Sequence, residues 1–165
     1  MRAKALTARY EKTKDKELDS SFRQNDELRN IAIMSGYSAT PLATKLGIKT
    51  ESVVLLVGAP INYLDLIGKT DAHFATRLGK NVSIVHIFTT SKVELSKLLK
   101  TYREKLAPDA VVWVSWPKKA SKVPTDITEG TIRDIALPMG WVDIKVCAVD
   151  EVWSGLKLVV RKSLR

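Results

Sequence analysis

Three continuous apolar runs divide the chain: SVVLLV at 52 to 57, VSIVHIF at 82 to 88 and AVVWVSW at 110 to 116. Each has strand length and β-branched residues without the alternation of a half-exposed strand, so each predicts a strand covered on both faces, as in a parallel sheet. GAP follows the first run as its exit turn, Gly79 and Asn81 mark a turn before the second, and Pro117, which cannot donate to a ladder, closes the third. The stretch from His73 to Leu78 alternates weakly and predicts an edge strand.

Helical spacing fills the gaps between these runs. Ser91 with Glu94 forms a capping box, and Leu95, Leu98, Leu99, Tyr102 and Leu106 then recur on one face, with Lys97, Lys100 and Arg103 outside and Pro108 as the stop. Thr40 as a cap, Pro41 at the first helical position and Gly47 past the end predict a short helix through Leu46. A second short helix is expected over residues 61 to 67. Asp126 or Thr125 can cap a last helix with Ile132, Ile135 and Ala136 inside and Pro138 to Gly140 as its stop.

Beyond Gly140 the pattern changes. WVDIKVCAV and LKLVVRK are separated only by DEVWSG, too short for a helical crossover, so the two must pair as an antiparallel hairpin. The expected architecture is a three-layer, Rossmann-like α/β domain, with a mostly parallel sheet ending in that hairpin. This order resembles the class I methyltransferase fold, in which the last strand turns back and inserts beside its neighbours; the likeness covers residues 40 to 162. It implies S-adenosylmethionine as cofactor, held by a Gly-rich turn after the first strand and an acidic residue ending the next. Here the turn reads Gly58, Ala59, Pro60, and no acidic residue stands near Leu78. The strings MSGYSATPLATKLGIK, VVWVSWPKKASKVPTDIT and VCAVDEVWSGLKLVVRK also resemble signature segments of a bacterial family of small proteins known only as a domain of unknown function. That likeness spans residues 34 to 165 and carries no activity to transfer.

Composition changes the picture in three places. Residues 1 to 33 are polar and charge-rich with only Leu18, Phe22 and Leu28 to bury, which predicts a flexible extension ahead of a single domain over 34 to 165. Met34, just before a signature segment, is an alternative start that N-terminal sequencing would decide. The only cysteine, Cys147, excludes an intramolecular disulfide or a Cys-based metal site, and with no signal-length or membrane-length apolar stretch a soluble, cytoplasmic chain is expected. The net charge of +9 falls mainly on residues 34 to 165 and suits nucleic acid, phosphorylated ligands or acidic partners without choosing among them.

In an open parallel sheet, ligands bind outside the carboxyl ends of the strands. The loops expected there contain Gly58, Thr89, Thr90, Ser115, Lys118, Lys119, Ser121 and Lys122, and the hairpin tip adds Asp150, Glu151, Trp153 and Ser154. The first helix can fold over the same edge. Lys118, Lys119 and Lys122 with two hydroxyls, just before a helix N-terminus, suit a phosphate or carboxylate. The preferred expectation is therefore a binding module for a small anionic ligand, with a methyltransferase or a nucleic-acid or protein-interaction module as alternatives. Asp150 and Glu151 can supply a general base or merely turn chemistry. His86, within an apolar strand, reads as a core histidine, and no metal-ligand spacing is present.

Overall fold

The computed structural model describes residues 39 to 165; the expected extension over residues 1 to 33 and Met34 lie outside them. Residues 41 to 165 form one compact unit. Its elements are α1 (Leu42–Leu46), β1 (Val53–Val57), α2 (Tyr63–Ile67), β2 (His73–Ala75), β3 (Ile84–Phe88), α3 (Lys92–Lys105), β4 (Val111–Pro117), α4 (Glu129–Ala136), β5 (Trp141–Ala148) and β6 (Trp153–Val160), with short 3-10 turns at Lys119–Ser121, Leu137–Met139 and Lys162–Leu164.

The strands form one sheet in the order β2-β1-β3-β4-β6-β5. The first four are parallel, as the unbroken apolar runs of β1, β3 and β4 predict, with the short β2 at the edge. β6 then returns antiparallel and inserts between β4 and β5, with Pro117 opposite Trp153 and Val111 opposite Val159. The connection is shorter than the expected DEVWSG link, residues 149 to 152, because Trp153, Ser154 and Gly155 already belong to β6; it forms the tip of a β5–β6 hairpin at the carboxyl ends of the parallel strands. The expected edge strand to Leu78 is real but shorter, ending at Ala75.

Alternation along the strands sorts side chains to two layers. Leu55, Val85, Ile87, Val112, Val114, Leu156 and Leu158 pack with Leu95, Leu99 and Tyr102 of α3 and Ile132 and Ala136 of α4. On the other face Val54, Ile84, Phe88 and Trp113 pack with Leu42 and Leu46 of α1 and Tyr63 and Ile67 of α2. Helix α1 therefore covers a sheet face instead of the carboxyl edge, because Leu42 and Leu46 are buried there and Trp113 Nε1 donates to the Leu46 carbonyl at 2.9 Å. Gly47 ends α1 at φ 75°, in the left-handed conformation that lets its amide reach the Thr44 carbonyl.

Two caps differ from expectation. Pro41 takes the cap position of α1, and helix α4 is capped by Thr128, whose side chain accepts from the Thr131 amide. Thr125 and Asp126 are drawn into tertiary bonds instead: Thr125 Oγ1 donates to the Thr90 carbonyl at 2.9 Å, and Asp126 Oδ1 accepts from the Lys92 amide at 2.7 Å. Local capping preference loses here to a link between the loop after β4 and the start of α3. Among the described residues no helix is long and apolar enough to cross a membrane.

Candidate functional site

The strand order reverses direction between β1 and β3, since β1 is followed on one side by β2 and on the other by β3. A crevice outside the carboxyl ends at such a switch point is the favoured ligand position in open α/β sheets. Its floor is Gly58, at φ 65°. A Cβ there would lie 2.4 Å from the Phe88 carbonyl oxygen, so only glycine lets the β1 exit press against the end of β3. Ala59 and Pro60 follow, half-buried, and the Pro60 carbonyl accepts from Tyr63 to begin α2. At the β2 exit stand the exposed Thr76 and Arg77.

Beside Gly58, Thr89 is buried and its hydroxyl donates to Glu94. Thr90 is exposed, while its carbonyl is held by Thr125 and by the Asp126 amide. The loop leaving β4 is tied to the hairpin tip: the Lys118 amide donates to the Val152 carbonyl at 2.7 Å and Lys118 Nζ to the Asp150 carbonyl at 2.6 Å. Ser121 Oγ closes the 3-10 turn onto the Lys118 carbonyl at 2.7 Å, and Lys122 completes it at φ 57°. Lys119 and Lys122 remain exposed.

At the hairpin tip, Asp150 Oδ1 accepts from the Val152 and Trp153 amides at 2.8 and 2.7 Å, which is turn chemistry. Glu151 is exposed; Trp153 stands edge-on to Phe88, ring centroids 5.2 Å apart. Ser154 sits in β6 opposite Trp116. The carboxyl edge thus brings together Gly58, Thr89, Thr90, Lys118, Lys119, Ser121, Lys122 and the hairpin residues. The lysine loop and the N-terminus of α4 do not form one cradle, because residues 123 to 128 separate them and Thr128 and Glu129 already serve that helix end.

Ser115 lies beneath the edge, fully buried. Its Oγ is 2.7 Å from His86 Nε2, and His86 Nδ1 is 2.8 Å from Tyr63 Oη. Burial drives the His86 pKa down to about 3 and pushes the Tyr63 phenol well up, with Cys147 adding to the second effect. The chain is therefore neutral: a phenol donating to Nδ1 leaves Nε2–H to donate to Ser115. Gly155 makes room for it, since a Cβ would meet Ser115 Oγ, Trp113 and Val149 at 3.3 Å each. His86 has no exposed surface, so the chain supports the site floor and cannot reach a substrate. Nothing in the sequence pairs residues 23 and 29 positions apart; only the parallel register does. Among the described residues no group of three His, Cys, Asp or Glu is placed to hold a metal ion.

No family model matches the chain, and no curated protein matches it. Solved structures do. A Sulfolobus solfataricus protein assigned to the type 11 methyltransferases superposes with a TM-score of 0.52 at 11% identity, over 73% of this chain and 90% of that one. DhpI in complex with SAH gives 0.51 at 12% identity, over 88% and 91%. The Bacillus subtilis M1A22 tRNA methyltransferase TrmK gives 0.50 at 13% identity, over 74% and 66%. The chain has the fold of the class I, S-adenosylmethionine-dependent methyltransferases.

The fit of that cofactor class divides along the crevice. The small residues Gly58 and Ala59 suit close approach of a ligand at the β1 exit. At the β2 exit Ala75, Thr76 and Arg77 supply a hydroxyl and a cation where a carboxylate would receive ribose hydroxyls.

Proposed function

We propose that the protein binds an adenosyl cofactor of the S-adenosylmethionine type in the crevice between the β1 and β3 exits and acts as a methyltransferase. The observation that carries this reading is the sheet itself: parallel strands reversing order at a glycine exit turn, closed by an antiparallel β6 between β4 and β5. The structural neighbours with the same fold support it. Gly58 and Ala59 would lie against the cofactor, Thr90 would cover it, and Thr76 would replace the usual carboxylate toward the ribose. When bound, the cofactor supplies an activated methyl group. The chain's own part is to place it over a rigid floor, where Tyr63, His86 and Ser115 fix the strands below.

Isothermal titration of the full chain with S-adenosylmethionine and S-adenosylhomocysteine, with ATP for comparison, tests the proposal. Binding of both adenosyl ligands is expected, weakened about tenfold or more in Thr90→Trp, which fills the crevice from an exposed position without removing the Thr90 carbonyl. Heat release with neither ligand, or with Thr90→Trp unaffected, counts against it.

A further inference from the structure

Helices α3 and α4 send Leu95, Leu99, Ile132 and Ala136 to the sheet and leave a surface groove between them. Its volume is about 380 Å³, and it is lined by Lys92, Val93, Ser96 and Lys97 of α3 and Ile135 of α4. The α3 residues recur three or four positions apart, so they share one side of that helix. Neither apolar side chain is fully covered: Val93 is 58% exposed and Ile135 half-buried. Lys92 and Lys97, both exposed, line the same groove, so the cavity itself brings two cations and two apolar side chains together.

No carboxylate lines the groove. Glu94 accepts from the Thr89 hydroxyl, and the Asp126 carboxylate from the Lys92 amide. Asp134, next to Ile135 in sequence, is exposed and lies outside the lining. Lysine stems extend an apolar wall while their ammonium groups stay in water. An apolar wall edged by two cations matches one apolar side chain flanked by carboxylates. A nucleic-acid backbone would meet the cations and leave Val93 and Ile135 uncovered. A lipid surface receives protruding apolar side chains and has nothing to seat in a concavity. An open groove of this size between two helices suits a peptide segment that docks by an apolar anchor.

We infer that the α3–α4 groove docks an acidic segment of a partner protein, with one apolar side chain against Val93 and Ile135 and its flanking carboxylates on Lys92 and Lys97. The groove shares no residue with the β1–β3 crevice, so this docking does not rest on the adenosyl reading.

Amide chemical shifts of the full chain are followed during titration with the capped peptides Glu-Glu-Leu-Glu-Glu, Glu-Glu-Ser-Glu-Glu and Lys-Lys-Leu-Lys-Lys. The first is expected to give saturable shifts centred on Lys92, Val93, Ser96, Lys97 and Ile135. The other two should bind about tenfold more weakly or worse, one for want of a buried anchor and the other by charge repulsion. Val93→Glu, at an exposed position, should weaken the first peptide about tenfold or more, and Lys92→Ala/Lys97→Ala about fivefold. Lys49→Ala/Lys162→Ala, an equal loss of charge at exposed positions outside the groove, should stay within about twofold of wild type. Unshifted amides in β3 and β4 show that each variant is folded. No saturable shift with the leucine peptide, equal binding of the serine peptide, or an equal loss in the Lys49/Lys162 pair overturns the inference. Binding to phosphatidylglycerol vesicles that Val93→Glu abolishes would give the groove to a lipid surface instead, and self-association that it abolishes would give it to a second copy of the chain; either also overturns it.

Discussion

The two faces of the sheet are packed by different means. Under α3 and α4 the core is apolar throughout, with Leu95, Leu99, Val112, Val114, Ile132, Leu156 and Leu158 fully buried beneath a 14-residue and an 8-residue helix. Under α1 and α2, each of 5 residues, the core holds a hydrogen-bonded histidine between a tyrosine and a serine. Two short helices bury less apolar surface, and polar groups there must be satisfied one by one. The apolar face supplies bulk stability; the polar face fixes the register of β3 and β4 just below the crevice.

The largest effect should come from the apolar face. Leu99→Ala removes a side chain with no exposure and is expected to cost about 2 to 5 kcal/mol by denaturant unfolding, because the neighbours of α3 cannot collapse into the void. A loss below about 1 kcal/mol would mean that this face is not the main source of stability.

The next effect is specific to the polar face. The pKa of His86 falls from 6.5 in the open chain to about 3 when folded, so at pH below 6.5 the unfolded state takes up a proton that the folded state refuses. Stability is then full above pH 6.5 and declines as pH falls toward about 3, with a limiting slope of about 1.4 kcal/mol per pH unit from this group. His86→Gln, which can still bond both neighbours but does not titrate, should flatten that decline. An unchanged pH profile would show that His86 is not held neutral in the fold.

Smaller still, Ser115→Ala leaves His86 Nε2 buried without its partner and should cost about 1 to 3 kcal/mol, more than an exposed serine such as Ser163→Ala. Asp126→Ala removes the link between the β4 loop and the first amide of α3 and should cost about 1 kcal/mol. Its informative readout is proteolysis within residues 119 to 125, which should quicken as the loop after β4 loosens from Thr90.

The difference between the faces also explains what was legible in the sequence. The strands of the parallel sheet announced themselves as unbroken apolar runs, and the short DEVWSG link forced the hairpin. The capping box Ser91/Glu94 placed α3 correctly, since Ser91 accepts from the Glu94 amide. The placement of α1 was not legible, because its few apolar residues fit an edge as well as a face until Trp113 claims the Leu46 carbonyl. The cap of α4 was misplaced because Thr125 and Asp126 bond to residues about 35 positions away. At the site the loops were legible but not their wiring: Lys118 also donates to the Asp150 carbonyl of the hairpin, and the Asp150 carboxylate accepts from the amides of its own tip. The Tyr63–His86–Ser115 chain left only a histidine inside an apolar run as its trace.

The β1–β3 crevice is the proposed adenosyl-ligand site. Backbone amide chemical shifts of the full chain, titrated with S-adenosylhomocysteine, test it most directly. Saturable shifts are expected, centred on Gly58, Ala59, Thr76, Arg77, Thr89 and Thr90, with little change on the outer faces of α3 and α4. Shifts confined to those outer faces, or none at saturating ligand, would contradict it.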